Sequence, residues 1–124
     1  MDSTSGNLSP RDDEGTTART DQYTVGGACV VVARGDLDLS TLQPLTDALT
    51  TAGSTYPVVI LDASEITFGD STFLNLVLHT HSTTVLRVVA PDEQLRRLFE
   101  ITGADTVLDI RPTVEAALSP PPSP

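Results

Sequence analysis

The sequence predicts an α/β domain built on a mixed sheet of four to five strands with about four helices. Three observations carry that prediction. Short β-rich runs alternate with stretches of helical period. The connections between them are brief, which implies parallel pairing through crossover helices. A Gly26-Gly27 pair between the first two runs signals a hairpin, and so one antiparallel strand.

The elements follow in order. Tyr23 to Val25 and Cys29 to Arg34 are the hairpin strands. Leu42, Leu45, Ala48, Leu49 and Ala52 then recur at helical spacing; Ser40 or Thr41 can cap that helix, Pro44 fits its first turn and Gly53 can end it. Val58-Val59-Ile60-Leu61 is an all-apolar run of the kind buried on both faces of a sheet. Asp62 to Ser71 reads as a loop leading into a mostly buried helix, Phe73 to Leu78, and Val85 to Ala90 is a further strand. Pro91-Asp92-Glu93 opens a helix with Leu95, Leu98, Phe99 and Thr102 on one face and Gly103 at its end. Val107 to Ile110 is a short last strand, and Thr113 can cap a final helix through Val114, Ala117 and Leu118.

Composition narrows the function. A chain of 124 residues fits one domain, and with 39% apolar but only 4% aromatic residues its core is built from Val, Leu, Ile and Ala. Seventeen acidic against seven basic residues leave a net charge of −10, which repels phosphate backbones and excludes nucleic acid as a partner. No apolar stretch approaches the ~20 residues needed to span a bilayer. Residues 1–20 are polar and acidic, which predicts a disordered tail and not a secretory signal, so the expected compartment is the cytoplasm. Ser119 to Pro124 reads as a Pro-rich C-terminal tail, which leaves residues 21–118 as the domain. The single Cys29 sits in an apolar run and reads as a buried thiol.

Working residues in open α/β sheets gather where strands end and helices begin. Two such junctions are rich in carboxylates and hydroxyls: Gly35-Asp36-Leu37-Asp38, and Asp62 to Ser71. Ser71 stands at the expected start of a helix, where unpaired N–H groups and the helix dipole favour negative charge. A phosphate there would bring about −1.5 to −2 charges to a surface spot. The plainer reading is that Asp70 or Ser71 caps the helix. Thr72, Asn75 and His79 share one helical stripe with Ser71 at its upper end. Asp36 and Asp38 could form an acid pair or serve as turn and cap residues. One Cys and two poorly aligned His give no metal site, and the absence of Gly-x-Ser-x-Gly, Walker A and Gly-x-Gly-x-x-Gly patterns argues against the matching enzymes.

Taken in order, these segments resemble the STAS domain family, specifically its stand-alone anti-sigma factor antagonists. The landmarks are Val30 to Asp38, Val58 to Asp62, Ile66-Thr67-Phe68-Gly69-Asp70-Ser71-Thr72, Leu86 to Pro91, Leu95 to Gly103 and Thr113 to Leu118, spread over Gln22 to Leu118. The resemblance implies a single STAS-like domain that acts as a switch and not as an enzyme, with no cofactor of its own. Unphosphorylated, such a protein binds an anti-sigma factor that is also a serine kinase, and so frees a sigma factor. ATP and magnesium belong to that partner. Phosphorylation of the serine after the Asp, here Ser71 with Thr72 as second choice, dissolves the complex. Asp36, Asp38 and Asp70 are expected to form an acidic rim around it, with Thr72, Phe73, Asn75 and His79 on the partner-binding surface. Monomer and weak dimer both remain open.

The sequence also departs from the family pattern. Where Gly usually follows Asp-Ser-Ser/Thr, this chain has Phe73, which either alters how a kinase fits over Ser71 or is itself a contact. The stretch from His79 to Val85 is shorter than usual and lacks the common basic residues. An alternative is a STAS adaptor that is never phosphorylated and binds an ATPase subunit, of the lipid-transport type. A hydrolase using Ser71 would need His79 or His81 within reach, and helical geometry puts His79 two turns away.

Overall fold

The computed structural model describes residues 18–118. Five strands form one sheet in the order β1-β2-β3-β4-β5: Arg19–Val25, Ala28–Leu37, Val58–Gly69, Val85–Val89 and Asp109–Arg111. β1 runs antiparallel to β2, and all later pairs are parallel, so the sheet is mixed as expected. The helices are α1 (Gln43–Thr55), α2 (Ser71–Thr83), α3 (Glu93–Thr102) and α4 (Val114–Leu118), with one 3-10 turn after α3. Among the described residues no helix is long and apolar enough to cross a membrane.

The hairpin forms where the sequence places it. Gly26 and Gly27 have φ of +58° and +81°, the left-handed pair that a two-residue turn needs and that a Cβ would disfavour. β1 begins earlier than its composition suggests: Arg19 and Thr20, expected in the tail, pair with Arg34 and Ala33. The reason is that an edge strand with one wet face can be polar and still be held by its ladder. Residues 1–17 of the expected N-terminal tail, and the Pro-rich segment 119–124, lie outside the described residues.

Helices α1, α2 and α3 cover one face of the sheet. Leu45, Leu49, Phe73, Val77, Leu95 and Phe99 pack there on Val31, Leu61 and Val88. On the opposite face α4 sets Ala117 against Val30 and Ile60. Thr113 caps α4 through Oγ1, which accepts from the Ala116 N–H at 3.0 Å, and Arg87 and Arg111 donate to the carbonyls of Ala117 and Ala116 at its far end. Cys29 is buried, as expected, and burial raises its thiol pKa.

Further boundaries also differ from expectation: β5 is Asp109–Arg111 and not Val107 to Ile110, because Val107 follows the 3-10 turn. β2 continues to Leu37 and β3 to Gly69, so the anticipated loop Asp62 to Ser71 is strand for most of its length. Two register shifts against β2, between Val32 and Arg34 and between Gly35 and Asp36, place extra residues in β3. Such bulges break the period-two alternation by which a strand is recognised. In α1 neither Ser40 nor Thr41 caps the helix; Leu42 stands at the cap without a side-chain bond, and the helix runs past Gly53 to Thr55. Ser40 and Thr41 are engaged by Asp38 instead.

Candidate functional site

The two junctions singled out in the sequence meet at one edge of the sheet. The parallel register sets Asp36 opposite Phe68 and Leu37 opposite Gly69, and the Asp70 N–H donates to the Leu37 carbonyl at 3.3 Å. The ends of β2 and β3 and the start of α2 are thereby tied together. Asp36 is in β2 itself, not after it.

Every carboxylate of the expected acidic rim is held by a hydroxyl. Asp36 accepts from Thr67 Oγ1 across the two strands at 2.5 Å. Asp38 accepts from the Ser40 N–H at 3.0 Å and from Ser40 Oγ at 2.8 Å, a local turn that lowers its pKa, with the Ser40 hydroxyl the main cause. Asp70 caps α2: it accepts from the N–H groups of Thr72 and Phe73 at 2.9 and 3.2 Å and from the Thr72 hydroxyl at 2.5 Å. The Thr72 hydroxyl is the first cause of a lowered Asp70 pKa, and the backbone bonds add to it; burial and the charge of Asp38 oppose it. That last effect sets Asp38 and Asp70 in one electrostatic neighbourhood.

The cap yields a prediction. Asp70→Ala is expected to destabilise the fold by about 1 kcal/mol near neutral pH. Because the folded pKa is depressed, the ionised cap stabilises fully above the ordinary value of 3.8 and loses that contribution as pH falls through the lower folded value. Urea denaturation at several pH values should therefore show a constant gap between variant and wild type above pH 3.8, narrowing only below it.

Ser71 is the first residue of α2 and is exposed, and among the described residues its hydroxyl has no hydrogen-bond partner. Thr72, one position on, is half-buried and its hydroxyl is committed to Asp70. Asn75 is exposed one turn below. His79 is also exposed but lies farther along, lining a groove between α1 and α2 with Leu49, Thr50 and Gly53. The structure thus gathers Asp36, Asp38, Asp70, Ser71, Thr72 and Asn75, and leaves His79 two turns away. His81 is partly buried with Nδ1 unpartnered, and neither histidine bonds Ser71. Among the described residues no group of His, Cys, Asp and Glu could hold a metal.

Phe73 is not a surface contact. Its side chain is fully buried, and its ring lies over Gly69: a Cβ built on Gly69 would meet Phe73 Cδ2 at 2.6 Å. The missing side chain at the end of β3 is what admits the ring. Four residues that the sequence reading assigned no role also shape this edge: Thr67, which holds Asp36, and the exposed apolar Leu39, Phe68 and Ile101. Their signal was hidden by the bulges of β3 and by the helical face on which Ile101 falls outside the buried stripe.

A mixed five-stranded sheet with three helices on one face and a fourth on the other is the architecture of the STAS class of α/β domain. The family model described as "Mlab, STAS domain" matches residues 22–112, and the chain belongs to that family. Among solved structures it is similar to an anti-sigma factor antagonist from Mycobacterium paratuberculosis, with 27% identity, a TM-score of 0.76, and coverage of 82% of this chain and 92% of that one. It shares its fold with the anti-sigma factor antagonist SpoIIAA in its unphosphorylated form (18% identity, TM-score 0.67, 80% of this chain and 93% of that one). The same holds for the Bacillus cell fate determinant SpoIIAA in the phosphorylated form (18%, TM-score 0.62, 80% and 96%). No curated protein matches the sequence.

Proposed function

We propose that this chain is a cytoplasmic anti-sigma factor antagonist, a binding switch without catalysis of its own. Unmodified, it binds an anti-sigma factor with serine-kinase activity through the edge that carries Ser71, which releases a sigma factor; phosphorylation of Ser71 ends the complex. ATP and magnesium are the kinase's. The observation that carries this reading is the contrast between adjacent hydroxyls: Ser71 exposed and unengaged, Thr72 half-buried and bonded to Asp70. The 27%-identical antagonist supports the regulatory class.

Chemically the edge suits a switch. Asp70 already occupies the N–H groups of Thr72 and Phe73, so a phosphate on Ser71 finds those donors taken and meets Asp70 and Asp38 as like charges. The new charge is left to face whatever docks there. Incubation with ATP and a purified anti-sigma factor kinase from the same organism should add one phosphate by intact mass, and Ser71→Ala should remove it. Full phosphorylation of Ser71→Ala would move the site, to Thr72 first.

The second reading, a STAS adaptor that is never phosphorylated and stays bound to an ATPase subunit, draws on the buried Phe73 at the family's usual Gly position and on the family description. It predicts a complex that survives ATP addition.

A further inference from the structure

Two exposed large apolar side chains, Phe68 and Ile101, line one groove near the switch. Between the end of β3 and α3 runs a groove of about 240 Å³, walled by Phe68, Leu95, Leu98 and Ile101, with Thr67 and Arg97 at its rim. Phe68 is 46% and Ile101 77% exposed, and together they present a contiguous apolar surface of the kind that marks an interaction site. The volume lies below the ~300–1,000 Å³ of small-molecule sites and suits one or two side chains. Gly69 closes one end, two residues before Ser71, so the groove is continuous with the surface proposed for the kinase.

Charge selects the occupant. Asp92 lines the groove, Glu93 stands beside it in an exposed ion pair with Arg97 at 3.8 Å, and Asp36, Asp38 and Asp70 occupy the neighbouring edge, so carboxylates outnumber the one arginine there. A second copy would carry its own net charge of −10 toward an edge that is itself acidic. Residues 1–17 hold Asp2, Asp12, Asp13 and Glu14 against Arg11 alone, and would be repelled in the same way. We infer that the groove takes a bulky aliphatic or aromatic side chain of the anti-sigma factor kinase, on a segment with basic neighbours. This rests on the function proposed above and adds to it a second anchor: Ser71 carries the switch, while the groove carries affinity that phosphorylation does not address directly.

The test uses the full chain and the purified kinase of the phosphorylation assay. Ile101→Glu and Ile101→Ala alter an exposed side chain, and Val85→Glu serves as control, being half-exposed at the opposite end of the sheet where β4 begins. Burying an anchor of this kind predicts that Ile101→Glu weakens binding of the unmodified chain by about tenfold or more, Ile101→Ala by less, and Val85→Glu by under about twofold. In the kinase assay Ile101→Glu should raise KM for the chain with kcat unchanged. If Ser71→Asp weakens binding and Ile101→Glu does not, the groove is overturned and the switch stands. If Ile101→Glu weakens binding and Ser71→Asp does not, the switch fails and the groove stands. Wild-type chain that does not bind the kinase overturns both. Benzoylphenylalanine at position 101 should photocrosslink to the kinase; a crosslink only to residues 1–17 or to a second copy overturns the assignment.

Discussion

Ser71→Asp is expected to weaken binding of the anti-sigma factor kinase by about thirtyfold or more, while Ser71→Ala stays within a few-fold of wild type. A charge introduced at a packed interface must shed water and find a partner, and leaving it unpaired costs about 2–5 kcal/mol. Here the adjacent carboxylate is Asp70, with Asp38 in the same electrostatic neighbourhood, both already held by hydroxyls, and the N–H groups of Thr72 and Phe73 are spent on Asp70. Two of the donors at the helix start are thus closed to the new charge. The fold should be indifferent, because Ser71 is exposed and its hydroxyl supports no other group. Calorimetric titration of both variants, with a melting curve for each, separates the two effects. Equal affinity of Ser71→Asp and wild type would sink the switch. A true phosphate, with about −1.5 to −2 charges, should act more strongly than the single charge of Asp.

The largest effect on stability belongs to the Gly69–Phe73 pair. Phe73→Ala should cost about 3–5 kcal/mol, the range for emptying the site of a fully buried ring. Gly69→Ala should cost about 1–3 kcal/mol, since its new methyl would stand 2.6 Å from a ring atom with no room to retreat. The double variant is the discriminating case. Once the ring is gone the methyl has space, so the cost of Gly69→Ala in that background should fall toward zero, a coupling of about 1 kcal/mol or more. Denaturant titration of the four proteins measures it, and strict additivity would show that the ring can move aside unaided. This pair also accounts for the departure from the family pattern. A bulky residue in the first turn of α2 is tolerated because it points down onto Gly69, not out toward a partner. It changes how the helix start is packed and leaves Ser71 exposed.

Much of the fold was legible because its signals are local. The Gly26-Gly27 turn, the apolar run from Val58, the helix opening at Pro91-Asp92-Glu93 and the Thr113 cap each depend on a few neighbouring residues, and each occurs as read. The candidate site was legible only in part. Asp70 and Ser71 could be placed at a helix start from sequence, with capping and modification both open; the structure gives the cap to Asp70 and leaves Ser71 free. Phe73 was misread because position in a first turn does not tell which way a ring points.

By itself, then, the sequence determined the α/β class, the mixed sheet, the start of α2 and an acidic surface that no nucleic acid would favour. Only the tertiary structure decided that β2 and β3 run on through two bulges, that Thr67 holds Asp36, that Phe73 turns inward over Gly69, and that Phe68 and Ile101 flank a groove beside Ser71. The division has a physical cause. Caps, turns and periodicity are set by contacts within about four residues, whereas a bulge or a close ring–glycine approach exists only when a partner strand or helix, distant in the chain, imposes it.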